Sequence, residues 1–151
     1  LTTGPNLDLV ADADPTIPRE QEAFWDGRRK RKQNVCVMAP MCRSFGGRSR
    51  VNQYLHPETY EHNLNTVDGP LAKFVGQVAS EQLSDNLDFV NEQPAGSYLH
   101  GVDPWPKVLK DPRVCSTTFG PVPIWSKKFP GAACGEAHRA RCISQGPYLL
   151  L

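Results

Sequence analysis

Proline is the residue that most constrains what this chain can fold into. It occupies 14 of the 151 positions, about twice the usual frequency of roughly 5%. Because proline fixes φ and lacks a backbone N–H, it interrupts helices and central strands. Eight of the 14 prolines lie in residues 94–151, where they alternate with large apolar side chains. The sequence therefore predicts a mainly irregular protein with a few α-helices and little β-structure, flanked by an extended proline-rich N-terminal arm and C-terminal tail.

One amphipathic helix, near residues 69–92, is the clearest regular element. Asp68 is expected to cap its start. Its first apolar positions recur at three- and four-residue spacing, which places them on one helix face: Leu71, Phe74, Val75 and Val78. Farther on the apolar positions rotate to another face, so the helix is either covered from two sides or breaks near Ser84. Val35–Met38 is a short apolar run that could be a strand or a buried extended segment.

The chain divides into three predicted segments. Residues 1–26 form an acidic extended arm, residues 27–93 a basic segment with a small helical core, and residues 94–151 an extended tail rich in proline and aromatic residues. Two shorter helices are expected, at 19–33 and 57–66.

The net charge of +1 conceals alternating charge blocks. Residues 1–26 contain six acidic residues and one basic residue, whereas residues 27–50 contain eight basic residues and no acidic one. Residues 51–100 are again acidic and residues 101–151 basic. Blocks of this size predict separate acidic and basic surfaces on a nearly neutral protein.

The basic block predicts a surface for an anionic partner, which could be lipid headgroups, an acidic protein or RNA. An ordinary solvated helix face or loop explains the same run equally well. Nucleic acid is the less favoured partner, because interleaved aromatic residues are scarce: Phe45 lies inside the block and Trp25 just before it. The predicted anionic-partner residues are Arg28, Arg29, Lys30, Arg31, Lys32, Arg43, Arg48 and Arg50.

The tail combines an extended backbone with aromatic side chains that need burial. Polyproline-like segments leave their backbone groups without partners inside the segment. Such a segment is suited to a groove on another protein, although it could also wrap the helix of its own chain. The predicted anchors in a partner's groove are Trp105, Phe119, Trp125 and Phe129.

Five cysteines make an odd count, so at least one is unpaired within the chain or pairs elsewhere. Cys36 with Cys42 and Cys134 with Cys142 could each close a small disulfide loop, and free buried thiols are an equal alternative. Neither spacing is that of a zinc-binding cysteine pair. A metal site drawn from Cys134, His138 and Cys142 lacks a fourth ligand. The sequence predicts no catalytic, cofactor-binding or metal-ligating residues.

These features favour a non-catalytic accessory or structural subunit of a large multiprotein assembly. The leading hypothesis is a peripheral subunit of a mitochondrial, respiratory-type complex, associated with the inner membrane and bound to other protein subunits. No transmembrane segment is expected, because no run approaches the ~20 apolar residues that span a bilayer. Alternatives are a structural protein inside ciliary microtubules, and a secreted disulfide-stapled binding module or small hydrolase. A start at Leu1 is expected of a processed product or a fragment.

Overall fold

The computed structural model describes residues 14–31, 34–118 and 141–146, with residues 117, 118 and 141–146 described by their backbone alone. The helices are α1 Pro18–Arg31, α2 Ser49–Leu55, α3 Pro57–Asn63, α4 Gly69–Ser84 and α5 Trp105–Val108. A π-helical segment, Leu64–Asp68, joins α3 to α4, and a 3-10 helix covers Tyr98–Gly101. The strands are β1 Val35–Met38, β2 Asp88–Pro94, β3 Val114–Thr118 and β4 Arg141–Gly146.

The four strands form one parallel sheet in the order β1-β2-β4-β3. Val35 lies opposite Asp88, and Asn91 lies opposite Ile143. Parallel neighbours require a long connection from the end of one strand to the start of the next, and α2, α3 and α4 occupy the connection between β1 and β2. The prediction of a mainly irregular protein with a few α-helices and little β-structure is confirmed in part, because in the described residues helices predominate and the strands are few and short. The sequence did not predict that strands join into a sheet.

The amphipathic helix is shorter than predicted. α4 ends at Ser84, and Asn86 follows in a left-handed conformation with φ 57°, which is a common way for a helix to end. Residues 88–94 then form β2, so the predicted helical extension to residue 92 is wrong. The break near Ser84 is the correct one of the two alternatives, because Phe89 belongs to the sheet.

Asp68 does not cap α4. Its own backbone is helical, with φ −70° and ψ −39°, because the π-helical segment Leu64–Asp68 runs directly into Gly69. No side-chain capping hydrogen bond forms there. The carboxylate is instead buried, and it accepts a hydrogen bond from Nε of Arg43.

The core lies where α4 packs against the sheet and receives side chains from α1 and from the residues after β2. The four apolar residues predicted to share a face of α4 are all buried. The buried apolar residues are Phe24, Met38, Phe45, Leu71, Ala72, Phe74, Val75, Val78, Ala79, Leu83, Phe89, Leu99, Trp105 and Val108.

Trp105 is a core residue, and its prediction as an anchor in a partner's groove is wrong. Its side chain is 0% exposed, and its indole Nε1 donates a hydrogen bond to the carbonyl oxygen of Ala72, 3.1 Å away. Its ring also meets that of Phe89 edge to face, with centroids 6.3 Å apart. Trp105 therefore covers the chain's own helix, the alternative that the sequence had left open.

All three predicted segments contribute to this core. Phe24 comes from the predicted arm, Phe74 from the central segment, and Leu99 from the predicted tail. The boundary between residues 26 and 27 falls inside α1. The remaining predicted anchors, Phe119, Trp125 and Phe129, lie outside the described residues.

Candidate binding site at the carboxyl edge of the sheet

The ends of β1 and β2 define one edge of the sheet. Because the two strands are parallel, Met38 and Pro94 both lead to that edge, into residues 39–48 and 95–101. Ligands of open parallel α/β sheets bind outside the carboxyl ends of the strands. These two loops are therefore where a binding site is expected.

Hydrogen bonds hold the two loops together. The backbone N–H of Tyr98 donates to the carbonyl oxygen of Phe45 at 2.7 Å. Nε2 of the buried Gln93 donates to the carbonyl oxygen of Pro40 at 2.8 Å, and the Ser97 hydroxyl donates to Oε1 of Gln93 at 3.0 Å. This network places Tyr98 beside the loop that follows β1.

A buried carboxylate, that of Asp68, holds the loop that follows β1. The side chain of Asp68 is fully buried and accepts hydrogen bonds from Nε of Arg43, at 3.0 and 3.2 Å, and from the Ser44 hydroxyl. The Tyr60 hydroxyl donates to the carbonyl oxygen of Ser44 at 3.2 Å. The loop is thus fixed both to α3 and to the π-helical segment.

A cleft of about 200 Å³ opens between this loop and the α2–α3 pair. It is smaller than the roughly 300–1,000 Å³ of typical small-molecule sites, so it suits a single polar or anionic group better than a whole cofactor. Its lining consists of neutral hydrogen-bonding and basic side chains: Arg43, Ser44, Asn52, His56, Thr59, Tyr60 and Asn63.

The predicted basic patch is divided by the fold. Arg28 is only 6% exposed and turns inward to α4, where Nη2 lies 2.9 Å from Oε1 of Gln82 and 2.9 Å from Oδ2 of Asp85. The prediction that Arg28 faces a partner is therefore wrong, because its charge is used inside the protein. Arg29 pairs with Asp26 on the helix surface.

The other residues of the predicted basic patch differ in their exposure and ion pairing. Lys30 and Arg31 are exposed on α1, and Lys32 lies outside the described residues. Arg43 is bound to Asp68, so it contributes less free charge than predicted. Arg48 and Arg50 are exposed at the start of α2, and no ion pair among the described residues involves either of them.

Exposed aromatic and apolar side chains lie on the same helix as these last two arginines and, at Tyr98, next to Arg50. Tyr54 is 85% and Tyr98 50% exposed, and the guanidinium carbon of Arg50 lies 5.5 Å from the centroid of the Tyr98 ring. We call this set the α2 surface; its members are Arg48, Arg50, Val51, Tyr54, Leu55 and Tyr98.

Sequence reasoning missed these tyrosines because it considered aromatics inside the basic block. Phe45 is buried, and Trp25 packs against the core. The four-residue spacing of Arg50 and Tyr54 was a usable signal, since residues so spaced share a helix face. The position of Tyr98 depends on the contact between two loops that are distant in sequence.

Cys36 and Cys42 are free thiols in the structure, which is the second of the two alternatives that the sequence left open. Cys36 lies within β1, opposite Phe89, and Cys42 lies in the loop that follows β1. Burial raises the pKa of the Cys36 thiol, and the nearby charge of Arg28 opposes that shift. Cys134 lies outside the described residues, and Cys142 is described by its backbone alone in β4.

Buried Asn91 and half-buried His100 form a polar pair that contacts the core. Nδ2 of Asn91, on β2, is 3.2 Å from Nε2 of His100, and the His100 ring meets that of Trp105 edge to face at 5.2 Å. Burial lowers the pKa of His100. This arrangement supports the neutral imidazole as a hydrogen-bond acceptor for Asn91.

Within the described part of the chain, no three His, Cys, Asp or Glu side chains are grouped so that they could hold a metal ion. In the same residues, no helix combines the length and the apolar character needed to cross a membrane.

Comparisons of the chain with protein-family models, with curated proteins and with solved structures found no match. The α2 surface and the cleft next to α2 are therefore the features of this chain that bear on its function.

Proposed function

We propose that this protein is a non-catalytic accessory subunit of a larger assembly and that it docks an anionic partner on the α2 surface. The observation that carries the proposal is the pair of exposed arginines, Arg48 and Arg50, set beside exposed tyrosine and aliphatic side chains. Tyrosine and arginine are enriched in protein interfaces and among the residues that contribute most to binding.

The exposed apolar residues strengthen the argument. Val51, Tyr54 and Leu55 are 55%, 85% and 59% exposed within a helix of seven residues. They are spaced three and four residues apart, so they are neighbours on the helix surface. Contiguous exposed apolar side chains next to polar ones are typical of interaction sites.

The cleft suits binding more than chemistry. Its two basic residues, Arg43 and His56, lie among five neutral hydrogen-bonding side chains. Arg43 is held in place by the buried carboxylate of Asp68, which provides a preorganised donor for an anionic group. This is the composition expected of a recognition pocket beside a docking surface.

The burial of Trp105 changes the basis of the accessory-subunit hypothesis. The sequence argument relied on a tail whose aromatics project outward, but this tryptophan stabilises the chain's own core. The argument for a partner now depends on α2. The mitochondrial address stays a prediction, as do the ciliary and the secreted, disulfide-stapled alternatives.

Native size in an extract of the source cells tests this proposal. We expect the protein to elute in an assembly much larger than 16.8 kDa, and the double variant Arg48→Glu/Arg50→Glu to elute free. The matched control is Lys30→Glu/Arg31→Glu, which reverses two exposed charges on α1 and should stay assembled. Elution of the unaltered protein as a free monomer would contradict the proposal.

A further inference from the structure

Two exposed tyrosines flank one arginine on the α2 surface. Arg50 and Tyr54 are four residues apart in α2 and share a face of the helix. The guanidinium carbon of Arg50 lies 5.5 Å from the centroid of the Tyr98 ring. Tyr98, Arg50 and Tyr54 therefore form a row of alternating aromatic and cationic groups, with the exposed Arg48 at the start of the same helix.

We propose that this row binds single-stranded nucleic acid, with bases stacked on the rings of Tyr54 and Tyr98 and phosphates paired with Arg48 and Arg50. The inference rests on the proposed function, because it names the chemistry of the anionic partner. Proteins that bind single strands combine cationic side chains along the backbone with aromatic rings on which bases stack. Stacking of this kind tolerates any base, since every base presents a π face.

The cleft offers further groups for recognition, on a different face of α2 from Arg50 and Tyr54. Asn52 and His56 line it and lie on or directly after α2. Amide and imidazole groups can hydrogen-bond the exposed edges of unstacked bases, while Arg43, held by Asp68, offers a charged donor to a phosphate. A volume of about 200 Å³ suits one such group.

A single strand fits this surface better than a duplex, a membrane or an acidic protein surface does. The bases of a duplex are already stacked inside the helix, so exposed tyrosine rings gain little from it. α3 follows α2 after one residue and carries the exposed carboxylates of Glu58 and Glu61; these would repel a broad anionic surface that extended over both helices. A flexible strand confined to the row avoids them.

Fluorescence anisotropy with fluorescein-labelled oligouridine and oligothymidine, titrated with the full chain at several salt concentrations, tests the proposal. We expect Arg48→Gln to reduce the slope of log K against log salt by about 0.7, the value for one phosphate contact on a single strand. Tyr54→Leu and Tyr98→Leu should each weaken binding about tenfold without changing that slope. Arg31→Gln, which removes an exposed charge on α1, is the matched control and should leave both quantities unchanged.

Three results would overturn the inference. The first is equal affinity for duplex DNA with no effect of either tyrosine; the second is binding confined to phosphatidylserine vesicles; the third is binding confined to polyglutamate. Each would leave the proposed function standing, because the partner would still be anionic. Failure of every probe, together with continued assembly of the Arg48→Glu/Arg50→Glu variant, would defeat both proposals.

Discussion

Nε of Arg43 lies 3.0 Å from a carboxylate oxygen of Asp68, whose side chain is fully buried. The two residues are 25 positions apart and come from the loop after β1 and from the π-helical segment before α4. A buried carboxylate is costly without a cation and hydrogen bonds to compensate it. This contact therefore links the shape of the candidate site to the stability of the fold.

Replacing Arg43 with methionine should destabilise the protein. Asp68 would keep the Ser44 hydroxyl but lose its cation, and a buried group left in this way costs about 2–3 kcal/mol. Urea unfolding followed by circular dichroism measures the change. Arg48→Met is the control, because Arg48 is exposed and its replacement should alter the free energy of unfolding by less than about 0.5 kcal/mol. Equal stability of the two variants would show that the contact does not stabilise the fold.

Arg28 and Arg31 provide a second matched pair within one helix. Arg28 is buried against Gln82 and Asp85, so Arg28→Met removes hydrogen bonds that join α1 to the end of α4. We expect a loss of about 2–3 kcal/mol in the free energy of unfolding, while Arg31→Met, on the exposed side of α1, should lose less than about 0.5 kcal/mol. The measurement is the difference between the urea midpoints of the two variants. Equal midpoints would mean that Arg28 is exposed like Arg31, as the sequence suggested.

Alanine substitutions at Gly76 and Gly27 should change the stability of the protein in opposite directions. A Cβ at Gly76 would lie 2.8 Å from Cδ of Pro104 and 3.1 Å from Nε1 of Trp105, so Gly76→Ala forces the core apart at a cost of about 1–3 kcal/mol. A Cβ at Gly27 meets nothing within 4 Å, so Gly27→Ala should stabilise α1 by up to about 1 kcal/mol. Thermal unfolding of both variants checks the signs. A stabilised Gly76→Ala variant would contradict the packing of Trp105 on α4.

The apolar pattern of the sequence was sufficient for α4 but not for the sheet. Four apolar residues at helical spacing identify a buried face without any knowledge of the partner surface. β2 instead contains buried Asn91 and Gln93, and polar residues at core positions conceal a strand from pattern reasoning. Its pairing with β1 also joins residues 53 positions apart, such as Val35 and Asp88.

The candidate site, like the fold, could be predicted only in part, because some of its features depend on contacts between residues distant in sequence. The basic residues are evident in the sequence, but which of them remain available depends on Asp68 and on the end of α4. Likewise, Tyr98 reaches the α2 surface through the hydrogen bond of its backbone N–H to Phe45, 53 positions earlier. Charge alone predicted a surface, and tertiary contacts decide which of its arginines face outward.

His100 should make the stability of the protein decrease as pH falls below about 6.5. Burial lowers the pKa of His100 in the folded protein below the ordinary value of 6.5, so the unfolded chain takes up its proton first as pH falls. The contribution of His100 to stability is therefore complete above pH 6.5 and is lost progressively as pH decreases through 6.5 and then through the lower pKa of the folded state. Protonation would also remove the acceptor that faces Nδ2 of Asn91.

The comparison of His100→Gln with His62→Gln isolates this effect. His62 is exposed on α3, so its replacement should leave the pH dependence of the unmodified protein in place, whereas His100→Gln should flatten it. Free energies of unfolding in urea, measured at half-unit steps from pH 7.5 to 5, give the two difference curves. Titration of carboxylates is common to all three proteins and cancels in those differences. A difference curve for His100→Gln that is flat across the whole range would mean that the imidazole binds protons as readily in the folded chain as in the unfolded one. That result would contradict its partial burial against Asn91 and Trp105.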